Sequence, residues 1–408
     1  MNSGDTTWML VSCALVLLMT PAVGLFYGGL VRQKNVLSTI MYSFFTLAIV
    51  SVQWVIIGYS LAFGPSIKGV IGGLDFFDLR GVDASLPASE GPKSMLFMFF
   101  QLTFAAITPA LISGAFVERK RFGSFVLFTI AWSTFVYAPV AHWVWGGGWL
   151  SKIELFGGSG VLDFAGGNVV HITSGVSALV AALVVGRRHG LGVEPIKPYN
   201  AAITVLGAAL LWFGWFGFNG GSALAANAQA INAVVTTNTA AAAAALVWVG
   251  LSWTFHKKAS VIGVAVGAVA GLVAITPGAG YVTPLASLVI GGCTSAVCFV
   301  VTEYVVRGRV DDALDVFGVH GVGGMCGAVL TALLASTSVT GNTVPGALEG
   351  NLGLLGRQLL AVGVCAGYAA LGTFVILKVI DAISSVRVST SDEAIGLDIS
   401  QHGESVTN

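Results

Sequence analysis

The sequence predicts an all-α polytopic membrane protein of eleven transmembrane helices, arranged as two inverted five-helix repeats plus a final helix. Three observations carry that prediction. Only 9% of the 408 residues are charged and 55% are hydrophobic, whereas a soluble domain needs about 25% charged residues to cover a water-facing surface. The apolar runs are continuous and do not alternate, which favours helices over a transmembrane barrel. One acid–imidazole spacing also occurs twice, in corresponding spans of the two halves: Asp163 stands eight positions before His171, and Asp312 eight before His320.

The first run lies in MNSGDTTWMLVSCALVLLMTPAVGLFYGG, which lacks the basic leader and cleavage site of a signal peptide. It is long enough to span, which takes about 20 residues, and reads as a retained first helix behind a short acidic leader. Charge clusters and Gly/Pro punctuation then divide the chain into spans centred near residues 19, 52, 105, 132, 178, 209, 241, 268, 294, 327 and 367. Five precede the Arg187–Lys197 loop and five more run to about residue 335. An odd number per half turns the second half upside down, the plan of many transporters, with a site between the halves near the midplane. The expected boundaries are a transmembrane domain over 1–383, with repeats at about 8–190 and 198–335 and an eleventh helix at about 352–383, then a cytoplasmic tail over 384–408.

Orientation follows from Lys and Arg. With the N-terminus outside, the inner connections hold thirteen (Arg32, Lys34, Arg119–Arg121, Arg187, Arg188, Lys197, Lys257, Lys258, Arg307, Arg309 and Arg387), against five outside (Lys68, Arg80, Lys93, Lys152 and Arg357). That bias places the tail inside. A formal net charge of zero excludes a generally basic nucleic-acid binder. Fifty-four glycines suit close helix packing. The five cysteines, all in apolar segments without paired spacing, read as buried free thiols, with no metal site.

His171 and His320 are the chemical core of the sequence. A polar group inside a membrane is costly, by about 2.5–3.5 kcal/mol for a central Asp on insertion scales. Each imidazole is therefore either glue between helices or part of one shared site, and corresponding positions in inverted halves favour the site. Two neutral rings can share a proton and still offer a hydrogen-bonding edge to a small solute. On a regular helix, Asp163 would lie roughly 12 Å from His171, too far to touch it. Asp163 and Asp312 are expected to cap helix N-termini, or to supply fixed negative charge near a cation. Phe100 and Phe104 share a helix face; Trp145, Trp215, Phe218 and Ser222 fall near the outer surface, and together could hold a cation by ring faces and a hydroxyl. Trp143 and Trp149 read as interfacial belt residues.

The stretches PAVGLFYGGLVRQKNVLS, AHWVWGGGWL, LDFAGGNVVHITSG, WFGWFGFNGGSALAAN, ITPGAGYV, DDALDVFGVHGVGG and GLDISQHGE together resemble the ammonium transporter family (Amt/Mep/Rh), in its Amt branch, over essentially the whole chain. The resemblance implies a homotrimer in the cell membrane with one pore per subunit, serving nitrogen uptake. It implies outer ammonium recruitment by Trp145, Phe104 and Ser222 with Phe100 beside them, and a gate of Phe104 and Phe218. His171 and His320 would be twin histidines in an apolar lumen, with Asp163 supporting structure and field. Trp215 and Tyr137 would line or brace the path. Val266 departs from members that carry Ser ten positions before the Thr matching Thr276, which removes a lower polar contact. A trimeric PII-type signalling protein is the family's common partner at the cytoplasmic face, where the tail would pack rather than stay disordered as its composition alone suggests.

Potassium matches ammonium in charge and size, so attraction alone cannot tell them apart. A mostly dry lumen disfavours both ions, but ammonium can release its proton and cross as ammonia. The pair His171–His320 is then expected to be net neutral at rest and to bind ammonia or relay the proton. Rival readings are an ammonium sensor with little flux, for which a tail of about 25 residues offers little output domain, and a carbon dioxide channel, which would not need the cation site. An intramembrane enzyme is disfavoured, since no HExxH-type pair exists; no catalytic residue or cofactor is expected.

Overall fold

The computed structural model describes residues 2–193, 196–341 and 343–407. Among the described residues, ten helices are long and apolar enough to cross a membrane: α1 (Ser3–Leu30), α2 (Gln33–Phe63), α3 (Met95–Ala115), α4 (Phe122–Lys152), α5 (Gly167–Val185), α6 (Ala201–Ala223), α7 (Ala228–His256), α9 (Pro284–Val306), α10 (Phe317–Leu334) and α11 (Leu352–Ile383). Between α7 and α9 lies α8 (Val261–Ile275), apolar but shorter. Every span centre expected from the sequence falls inside one of these elements. Leu246, Leu371 and Ile383 are exposed on this chain, where an apolar surrounding, lipid or another subunit, is their suitable neighbour. This is a multi-pass helical membrane protein.

Small residues let the helices approach closely. A Cβ on Gly207 of α6 would come within 2.4 Å of the Phe26 backbone nitrogen in α1, and one on Gly291 of α9 within 2.2 Å of the Ala240 carbonyl in α7. The N-caps are regular: Asn2, Ser94, Asn200, Asn227, Ser260 and Thr283 each accept a backbone N–H of their own helix. The last expected buried thiols need correcting. Cys13, Cys298 and Cys365 are buried, but Cys293 is exposed and Cys326 half-buried, because an apolar membrane helix has no polar outer face to exclude sulfur from.

We call the end where α1 begins upper and the end bearing the tail lower. At the lower end the connections converge on buried charge. Glu118 accepts from Arg32 and from Arg188 (3.1 Å), and Arg188 grips Asp311 through Nε and a second nitrogen at 2.7 Å. Burial would raise both carboxyls, but the guanidinium groups around them prevail and hold Glu118 and Asp311 below the usual carboxylate range. The tail joins this layer. Leu397 N–H donates to Asn35, and Asp398 accepts from Leu37 and Ser38 at the start of the second span.

Lys120, in the connection between α3 and α4, is fully buried, and its Nζ has no hydrogen-bond partner among the described residues. The nitrogen lies 5.6 Å from the centre of the Phe116 ring and 5.8 Å from that of Phe128. Burial, opposed by Asp381, brings the amine down to about 7. Between that value and the unfolded value of about 10.4, the unfolded chain binds a proton that the native state does not, so stability rises with pH. Lys120→Met is therefore expected to raise the thermal midpoint most below pH 7, with the gain fading by about pH 10. A midpoint difference independent of pH would contradict this.

Candidate functional site

The upper ends of α3, α4 and α6 meet the segment preceding α5 around a cavity of about 340 Å³. Phe97, Gln101 and Phe104, spaced i, i+4, i+7 on α3, present one stripe to it; Phe100, Trp145, Asp163 and Ser222 complete the wall. The Phe104 ring stands edge-on to Trp145 at 5.8 Å and to Phe100 at 4.9 Å. Ser222 spends its proton on the Phe218 carbonyl at 2.8 Å, which leaves its oxygen lone pairs to accept. Trp145 donates its indole N–H to the Asp163 carbonyl at 2.8 Å.

Asp163 does what a capping carboxylate does. Its two oxygens accept four backbone N–H groups, from Gly166, Gly167, Asn168 and Val169, at 2.5 to 3.2 Å. The 12 Å separation expected from regular helix geometry does not apply, since the helix starts only at Gly167 and opens with a wide π-turn, Gly167–Ile172. Asp312, at the opposite end of the bundle, is not its equal. One oxygen accepts from Phe317 N–H at 2.7 Å, while the other is buried without a partner. Burial and the neighbouring Asp315 charge push Asp312 up to about 7.

The cavity floor is the Phe104–Phe218 pair, with ring centroids 4.3 Å apart. Beneath it Tyr27, Val170, His171, Trp215, Phe218 and His320 line a space of about 10 Å³, room for one water-sized molecule. His171 lies in its π-turn and His320 in another, Phe317–Gly321, and such turns often mark functional positions in helices. The Nδ1 atoms stand 3.2 Å apart, and the ring centroids 5.3 Å. One proton shared on that line gives one ring a bare Nε2 acceptor and the other an Nε2–H donor; the Nε2 of His171 is buried and unpartnered. Trp215 flanks His171 at 5.5 Å and donates to Thr276 at 2.9 Å.

Backbone contact holds the two π-turns in register. A Cβ on Gly175 would sit 2.0 Å from the Gly321 nitrogen, and one on Gly324 would meet the His171 Cβ at 3.0 Å. Below the histidines a third cavity, about 400 Å³, opens at the lower end between Leu30, Val266, Arg307 and the Asp311–Asp315 segment. Val266 offers it only methyl groups.

The candidate residues therefore assemble as a series from top to bottom, with two exceptions. Tyr137 lines none of these cavities; it is buried against Trp54 and Trp132 and braces α4. Thr276 is reached only through Trp215. Trp143 packs on Trp149 and Tyr368 away from the cavity. Gln101 and Tyr27 were missed from sequence, although a lone Gln in the apolar stripe of FFQLTF was a visible signal. The Glu118–Arg188–Asp311 network was missed because its members are distant in sequence.

A cavity at each end with a small histidine-lined space between them, on about ten membrane-crossing helices, suits a multi-pass membrane transport protein. Residues 7–407 match the family model described as Ammonium Transporter Family. The chain is 49% identical over 407 residues to an ammonium transporter of Bacillus subtilis, covering 99% of this chain and 98% of the relative. Among solved structures it resembles Candida albicans Mep2, with a TM-score of 0.89 at 35% identity over 96% of this chain and 88% of that one. A Sensor Amt Protein gives 0.88 at 29% identity over 98% of each. The chain belongs to the ammonium transporter family.

Proposed function

We propose that this protein is an ammonium transporter of the cell membrane that recruits ammonium in the upper cavity and passes ammonia between His171 and His320. The observation that carries the reading is the sequence of environments along one line. A cation-attracting cage of Phe100, Phe104, Trp145 and Ser222 comes first, then the aromatic floor, then a space for one molecule bounded by two imidazoles, of which His171 keeps its Nε2 without a partner among the described residues. Ring faces attract a cation by about 2 kcal/mol or more when desolvated, but a space of that size admits no hydration shell. An ion that can shed a proton crosses as a neutral molecule; potassium cannot.

The upper end is then outside, α8 the eighth of eleven spans, and α1–α5 and α6–α10 the inverted halves. The Asp–His segments that begin α5 and α10 from opposite ends support that arrangement. A homotrimer and a PII-type partner at the lower face complete the proposal.

Currents from purified protein in liposomes on a solid-supported membrane test it, pulsed with ammonium and separately with potassium. An ammonium-specific current absent from empty vesicles is expected, or ammonium-driven internal alkalinisation if the charge does not cross. Trp145→Leu should raise the half-saturating ammonium concentration by roughly tenfold or more, as loss of a desolvated cation–π contact predicts. Silence in both signals would favour the second reading, an ammonium sensor with little flux, which rests on the likeness to the Sensor Amt Protein.

A further inference from the structure

Where the tail leaves α11, it pairs with the connection between α3 and α4. Arg121 N–H donates to the Val386 carbonyl and Val388 N–H to that of Arg119, each at 3.1 Å, which sets Lys120 opposite Arg387. In this arrangement the Lys120 amine is fully buried, lies against the Phe116 and Phe128 rings and has no hydrogen-bond partner among the described residues. The charge that acts on it is that of Asp381 on α11. That carboxylate is already engaged: its Oδ1 accepts the Val386 N–H at 3.0 Å, at the first residue of the paired stretch.

The other charged and titratable groups around the pairing have places of their own. Arg119 donates to the Gly186 and Asp311 carbonyls, Arg387 holds Glu393 at 2.7 Å, and Asp398 accepts from Leu37 and Ser38. Tyr42 on α2 donates to the Lys120 carbonyl, and His402 stands edge-on to Phe122. Arg121 and Lys378 are exposed.

We propose that Lys120 and Asp381 make the docking of the tail sensitive to protons at the lower face. With Lys120 neutral, Asp381 holds the Val386 N–H and residues 386–388 close over the connection. A charged Lys120 finds no partner there. Water could supply one, and so could the Asp381 oxygen that the tail occupies; both become available when 386–388 lifts away. The tail and the charged amine thus compete for one carboxylate, and proton uptake favours release. Burial, opposed by Asp381, brings the docked amine down to about 7, whereas in water it titrates near 10.4, roughly its unperturbed value. Between those values the released state holds a proton that the docked state lacks, so docking tightens as pH rises, by up to about tenfold per unit. On the reading proposed above, the lower face is cytoplasmic and arriving ammonia takes up protons there, so uptake itself would seat the tail.

Amide hydrogen exchange of the full chain in detergent, between about pH 7 and 9, tests the proposal. No ammonium is present, so the result is independent of the transport reading. Exchange at Arg121 and Val388, each relative to its intrinsic rate, reports opening of the pairing. In the parent protein, protection should rise by up to about tenfold per unit. In Lys120→Met it should be high and flat across the range, and Lys120→Leu takes its place if that variant does not fold. Lys120→Arg, charged throughout, should be low and flat. A parental pH response in Lys120→Met, or a flat response in the parent protein, would overturn the proposal. Amides of α10 should exchange far more slowly than these two. One common rate would mean that the whole fold opens and not the tail, and would overturn it as well.

Discussion

Replacing His171 and His320 together by Leu is expected to abolish ammonium transport or to let potassium through. The two rings line the narrow space beneath the Phe104–Phe218 floor and face each other at 3.2 Å, while Tyr27 and Trp215 beside them spend their protons on Leu111 and Thr276. On the proposed reading, ammonia arriving there would exchange its hydrogen bonds to water for bonds to Nε2 atoms. Without them, ammonia would lose those bonds, roughly 0.5–1.5 kcal/mol for each, and the proton would have no imidazole relay. If the dry passage itself fills with water in the variant, potassium gains the route that desolvation had closed. Paired ammonium and potassium currents distinguish these outcomes. Parental ammonium flux with parental potassium exclusion would mean that the histidines only hold helices together.

Removing the Arg188 guanidinium should have the largest effect on stability. Arg188→Met leaves Asp311, and in part Glu118, as carboxylates buried without their main counter-charge. Breaking such a pair from one side typically costs about 3–5 kcal/mol. The cost should depend on pH in a definite direction. In the parent protein the two acids are held below their unfolded values, so their contribution is present above those values and fades on acidification. In the variant burial dominates and raises them, so the penalty is greatest at neutral pH. It is relieved as the carboxyls protonate. The inactivation half-lives of the two proteins in detergent should therefore differ most near pH 7 and draw together as the pH falls toward about 4 and below, where the parental carboxyls protonate too. A constant ratio across that range would show that the guanidinium acts through packing alone.

The fold was legible in the sequence because membrane helices announce themselves by length and apolarity, which depend on neighbours in the chain. The histidines were legible for a related reason: an imidazole stands out in an apolar span, and twice at one spacing more so. Asp163 was read as a cap and accepts four backbone N–H groups, while the regular helical rise assumed between it and His171 is interrupted by an extended segment and a π-turn. Asp312 was expected to match it and instead keeps one oxygen unpartnered. Lys and Arg were counted only as charges that mark a side, a count that does not reveal that Arg119, Arg188 and Lys120 are buried. Composition tells which loops are basic; it does not tell which cations meet a carboxylate brought from another loop.

The contact between Gly175 and Gly321 has a consequence for how this protein can change over generations. Side chains around the passage can be exchanged one at a time, and each exchange tunes affinity or rate. The distance between the two imidazoles cannot be tuned that way, because it is fixed where main chain touches main chain and even one methyl group would force the segments apart. Descendants of this chain are thus free to vary what the passage prefers, but its width is inherited whole.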